Sequence, residues 1–125
     1  MPLIEIIALL AVTQFMYFGY KVGIQRRDSG LKAPAMTGHE GFERAYRVQM
    51  NTLEVLVPFL PVLLLSGQYW PALLIAPIGI VYLVGRGLYA QAYVSNPSKR
   101  GLGFMLSLGA VAALLLLALL GAVFG

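Results

Sequence analysis

Two sets of ionisable and hydroxyl side chains recur at helical spacing within an otherwise apolar chain. Arg44, Arg47, Asn51 and Glu54 are separated by three, four and three residues, and Tyr82, Arg86, Tyr89 and Tyr93 by four, three and four. On an α-helix such spacing places each set on one stripe. Several guanidiniums, each able to hold a carboxylate through two parallel hydrogen bonds, suit a small anion with more than one carboxylate. Tyrosine hydroxyls and the Asn51 amide suit the peptide groups of such a ligand. The chain contains no cysteine, so disulfides and a protein-borne thiol nucleophile are excluded, and any sulfur chemistry must arrive with a ligand. His39 is the only histidine; it lies in a polar segment and reads as a solvated residue rather than a general base.

The elements that must position these groups follow from composition. Of 125 residues, 59% are hydrophobic and 11% charged, against roughly 25% charged in a soluble domain. With a mean hydropathy of +0.80, the bilayer is the natural solvent. A transmembrane helix takes about 20 apolar residues, so the chain can supply four. The reading is one all-α integral membrane domain over 1–125, a four-helix bundle with spans at about 3–24, 42–66, 71–94 and 101–124. No basic residue precedes the first span, which does not resemble a cleavable signal peptide.

Residues 25–41 form the longest loop by composition, with Gly30, Pro34 and Gly38. Pro58 and Pro61 are expected to bend the second span. Tyr69 and Trp70 sit at an uncharged turn as interfacial anchors. In the fourth span, Gly109 and Ala113 form a small-xxx-small pair suited to close helix packing.

Net charge is +4, but the placement of charge says more than its sum. Six basic and four acidic residues lie between Lys21 and Glu54, Arg86 stands alone, and Lys99 and Arg100 form a second group. A nucleic-acid binder needs a broad basic face, which two short patches do not provide. The Lys and Arg excess in the first and third connections places both in the cytoplasm.

A charge at the bilayer centre costs roughly 2.5–3.5 kcal/mol on insertion scales. The two polar stripes therefore cannot face lipid and should face one another or another subunit. In the plainest reading Glu54 pairs with Arg86 or Arg47 to hold the bundle, and the tyrosines are interfacial. Taken jointly, three arginines, a glutamate, an asparagine and three tyrosines exceed what packing requires, since a buried ionic network seldom stabilises more than apolar packing. A polar pocket at the cytoplasmic edge, with apolar walls open to a second, lipophilic ligand, accounts for them better.

The segment Phe42-Glu43-Arg44-Ala45-Tyr46-Arg47-Val48-Gln49-Met50-Asn51-Thr52-Leu53-Glu54 resembles the signature of the MAPEG family, the membrane-associated proteins in eicosanoid and glutathione metabolism. The block from Tyr82 to Tyr93, followed by Arg100, is similar to that family's third helix and its end. Arg26 and Arg27 fall where leukotriene-synthesising members carry a pair of arginines. The resemblance spans nearly the whole chain. It implies a homotrimer with glutathione held between subunits near the cytoplasmic face. Arg47, Asn51, Glu54, Tyr89 and Tyr93 would be glutathione ligands, with Arg26 and Gln49 as further ligands. Arg100 would stand beside the sulfur, and Arg27 would help position or protonate a lipid substrate. Arg44 and Arg86 would support the polar network.

The implied chemistry needs no metal. A free thiol with pKa about 8.5 is mostly protonated at neutral pH, and a nearby guanidinium favours the thiolate. The implied activity is that of a membrane glutathione transferase, attacking lipophilic electrophiles or reducing lipid hydroperoxides. The alternative is a non-catalytic lipid-binding scaffold like the family's lipoxygenase-activating members. Val55 marks a departure, since leukotriene-synthesising members carry a glutathione-binding tyrosine directly after the glutamate. A transporter is a further rival, with charges lining a path, although no broken-helix repeat supports it. The short, compact form looks bacterial, which implies the inner membrane.

Overall fold

The computed structural model describes residues 2–125, which form four long α-helices: α1 (Leu3–Ser29), α2 (Glu40–Tyr69), α3 (Ala72–Ser95) and α4 (Gly101–Phe124). A 3-10 turn at Pro97–Lys99 joins α3 to α4. All four helices are long and apolar enough to cross a membrane, in agreement with the four-span reading.

The helix ends show where composition misleads. α1 continues five residues beyond Ile24, through Arg26 and Arg27, and stops at Gly30, whose φ of 74° is left-handed. Gln and Arg propagate a helix well, and cations in the last turn are favoured by the helix dipole. Polarity alone therefore does not end the helix; the glycine does. α2 begins two residues earlier than expected because His39 caps it, its Nδ1 accepting from the Phe42 backbone N–H at 3.2 Å. Glu40 and Glu43 in that first turn complement the dipole. The helix then runs unbroken through Pro58 and Pro61, both exposed on its outer side.

The chain runs up, down, up and down. Gln25 near the end of α1 meets Gly41 at the start of α2, and Ile4 near the start of α1 meets Gly67 near the end of α2. Arg44 at the start of α2 reaches Val94 at the end of α3, and Tyr69 at the end of α2 meets Gly121 of α4. The two connections richest in Lys and Arg thus lie at one end. The core lies between the helices: Phe59, Leu63, Ile75 and Leu114 are fully buried, and Phe59 stacks on Tyr82 with ring centroids 3.7 Å apart. Outside, large apolar side chains such as Leu73 (82% exposed) and Leu116 (57% exposed) cover the surface. So much exposed apolar area is the opposite of a soluble monomer's surface and fits contact with lipid.

Close helix contact occurs in a different place from the Gly109–Ala113 pair. A Cβ on Gly109 would meet nothing within 4 Å, and Gly109 is exposed. The tight contact is between α3 and α4 at Gly85 and Gly103. A Cβ on Gly103 would come within 2.3 Å of the Tyr89 backbone nitrogen, and one on Gly85 within 2.8 Å of the Ser107 nitrogen. Backbone cannot yield as a flexible side-chain tip can, so only glycine fits.

Opposite responses to one added methyl group are therefore expected. Gly103→Ala should force α3 and α4 apart and lower stability by about 1–3 kcal/mol, the usual range for overpacking. Gly109→Ala should be neutral or stabilising by up to about 1 kcal/mol through helix propensity. Thermal unfolding followed by circular dichroism in detergent measures both.

Candidate functional site

The site begins with a charge in the wrong solvent. Arg86 on α3 is 0% exposed, and the close α3–α4 contact brings the hydroxyl of Ser107 to it. Arg86 Nε and Nη2 donate to Ser107 Oγ at 3.0 and 2.7 Å, and Nη1 donates to Asn51 Oδ1 at 2.7 Å and Thr52 Oγ1 at 3.4 Å. Ser107 Oγ in turn donates to the Gly103 carbonyl oxygen at 2.9 Å. Three helices, α2, α3 and α4, are thus tied by one guanidinium whose hydrogen bonds go to neutral oxygens. A hydrogen bond to a charged group contributes about 1.5–3 kcal/mol, and inside a low-dielectric bundle an unmade one is expensive.

From Arg86 the polar line runs on toward the connection between α3 and α4. The guanidinium lies over the Tyr89 ring, 4.5 Å from its centroid. Tyr89 tilts against Tyr93 at 5.6 Å and Phe104 at 6.3 Å, and the Arg100 guanidinium is 5.5 Å from the Tyr93 ring. Such cation–π contacts each stabilise by about 0.5–2 kcal/mol, more when desolvated. Asn51, Arg86, Tyr89, Tyr93 and Arg100 are therefore contiguous. Arg47 and Tyr93 both line an open cavity of about 530 Å³ at this end, with Glu40, Glu43, Arg44 and the loop residue Met36 around it. Arg44 closes one edge, donating from Nη1 to the Val94 carbonyl oxygen at 2.8 Å and pairing with Glu40.

The plain ion-pair reading does not hold. Arg86 takes Asn51 rather than Glu54 as its partner, and among the described residues Glu54 and Arg47 make no ion pair within 4 Å. Glu54 and Arg47 are exposed on the outer side of α2. Tyr82 also departs from the expected stripe: it turns into the core against Phe59, and its buried hydroxyl has no hydrogen-bond partner among the described residues.

Gln49, Arg26 and Arg27 do not join Arg47 and Tyr93 within the chain. Gln49 faces α1, its Nε2 only 2.7 Å from where a Gly19 Cβ would stand. Arg26 donates to the Ala35 carbonyl oxygen at 3.0 Å and lies 4.4 Å from the Phe42 ring centroid, bracing the loop against α2. Arg27 is exposed and pairs with Asp28 at 3.2 Å. Val55 is 5% exposed and belongs to the apolar core, so position 55 serves packing here.

Ser107 and Thr52 are the partners that spacing alone overlooks. Ser107 carries a signal of its own, as the only hydroxyl in the otherwise apolar α4.

Fold and site together define an integral, multi-pass membrane protein of four helices with a polar cluster at one end of the bundle. The chain belongs to the MAPEG family, whose model matches residues 4–120. It is 38% identical over 119 residues to human microsomal glutathione S-transferase 2, covering 95% of this chain and 81% of that protein. It is 34% identical over 119 residues to bovine leukotriene C4 synthase, with 95% and 79% covered. An uncharacterized protein of Synechocystis sp. is 41% identical over 111 residues, with 89% and 80% covered.

Ser107→Ala removes the oxygen that accepts two of the Arg86 hydrogen bonds. It is expected to lower stability by about 1.5–3 kcal/mol, whereas Ser107→Thr, which keeps the hydroxyl, should recover part of the loss. Thermal melts of the two variants in the same detergent make the comparison.

Proposed function

We propose that the protein is a membrane glutathione transferase that converts bound glutathione to its thiolate for attack on lipophilic electrophiles. The observation that carries the reading is the unbroken line from Asn51 through Arg86, Tyr89 and Tyr93 to Arg100, with Arg47 beside it. It is supported by similarity to proteins named as a glutathione transferase and a leukotriene synthase. In this reading Arg47 takes a carboxylate, Asn51, Glu54, Tyr89 and Tyr93 hold the peptide, and Arg100 faces the sulfur. The thiolate forms a carbon–sulfur bond with the electrophile, whose leaving group departs or whose carbanion takes up a proton. Reduction of a lipid hydroperoxide would start from the same thiolate, so both activities belong in the assay. Arg27 is assigned to the lipophilic substrate.

The site is read as lying between copies in a homotrimer. Gln49 and Arg47 point roughly 200° apart around α2, one toward α1 and the other toward the cavity with Tyr93. A ligand touching both, and Arg26 as well, therefore needs the α1–α2 face of one copy against the α2–α3 face of the next. The exposed stripe of Arg47 and Glu54 calls for such a cover in lipid. By the positive-inside rule the site is read as facing the cytoplasm, and if the chain is bacterial the membrane would be the inner one.

Val55 favours a second reading, a non-catalytic lipid-binding scaffold, because it offers glutathione no hydrogen bond. The two readings separate in detergent. The wild type should show glutathione thiolate absorbance and conjugate a generic aromatic electrophile. Arg100→Ala should lose on the order of 10²–10³ in rate and shift the rise of rate with pH upward by about one unit or more, since the cation no longer favours the thiolate. Tight fatty-acid binding without thiolate formation would instead support the scaffold.

A further inference from the structure

The geometry around Asn51 settles more than its membership of a site. A guanidinium has five N–H donors and no acceptor. The atom of Asn51 that lies 2.7 Å from Arg86 Nη1 must therefore be the carbonyl oxygen Oδ1, whichever way an amide is usually assigned. The amide nitrogen Nδ2 is then directed away from Arg86. Asn51 is half-buried, and among the described residues Nδ2 donates to nothing.

We infer that Arg86 is a positioning residue that fixes Asn51 as an outward hydrogen-bond donor, so that this point of the site accepts only a ligand oxygen, a peptide carbonyl or a carboxylate. The inference rests on the proposed glutathione-binding reading and adds to it the polarity of one contact and its cause. Arg86 is itself unable to turn. Ser107 holds Nε and Nη2, Thr52 shares Nη1, and Tyr89 covers the ring-like face of the guanidinium. The Gly85–Gly103 contact keeps Ser107 within reach. Because Arg86 is fixed by these three residues, the Asn51 amide is held in one of its two orientations before any ligand arrives. Such preorganisation lowers the ordering cost of binding.

Asn51→Asp tests this without breaking the tie. One carboxylate oxygen still accepts from Arg86, through a stronger, charge-assisted bond. The outward atom changes from a donor nitrogen to an acceptor oxygen. The expected result is thermal stability at or above wild type, with KM for glutathione raised on the order of 10- to 100-fold and kcat at saturating glutathione within about twofold. A residue that merely held the helices together would leave KM unchanged. Arg86→Lys offers a donor without the planar fork and should give a smaller rise in KM; it decides the matter if Asn51→Asp does not fold. A wild type that binds glutathione alongside an Asn51→Asp or Arg86→Lys protein of unchanged KM overturns the inference alone. A wild type that does not bind glutathione overturns the proposed function and this inference with it.

Discussion

A single buried guanidinium organises this bundle. Arg86 sits where α2, α3 and α4 meet, and a cation there is tolerated only if nearly all of its N–H groups are bonded. That requirement propagates through the molecule. Ser107 must lie within 3 Å of it, so α3 and α4 must approach as closely as Gly85 and Gly103 allow. Asn51 and Thr52 must face it from α2, which fixes the rotation of that helix. Once α2 is so turned, Arg47 and Glu54, on the same stripe as Asn51, point out of the bundle. Stability and site geometry therefore share one cause.

The outward stripe explains why the isolated chain looks incomplete. Along the spans the exterior is largely apolar, as a lipid-facing surface should be, yet Arg47 and Glu54 are exposed without an ion-pair or hydrogen-bond partner among the described residues. Lipid cannot satisfy them, whereas a second copy and an anionic peptide can. On the far side of α2, Gln49 and Arg26 face α1 and the first loop. The proposed assembly joins these two faces around one ligand. Val55 marks the limit of the likeness, because a side chain buried in the core here has been given to packing.

Much of this was legible in the residues themselves, and the exceptions have physical reasons. The four spans follow from hydropathy because a bilayer imposes length and apolarity together. Helix ends follow less well: Arg26 and Arg27 look like loop but propagate α1 until Gly30, since polarity and helix breaking are different properties. Period alone grouped Tyr82 with Arg86, Tyr89 and Tyr93, but four residues on a helix drift around its axis. The innermost tyrosine falls against Phe59. The Gly109–Ala113 pair has the spacing of a packing motif, yet motif spacing does not say which side of α4 meets α3. The hydroxyl of Ser107 stands out once Arg86 is known to need oxygens, a question that the spacing of one helix does not raise.

The most direct measurement is an experimental structure of the protein with glutathione in a lipid environment. The account requires the peptide to lie between two copies, one of its oxygens on Asn51 Nδ2, its sulfur near Arg100, and Arg86 still bonded to Asn51 Oδ1 and Ser107. Glutathione bound within one copy away from Asn51, or Arg86 turned out of its junction between the helices, would contradict it.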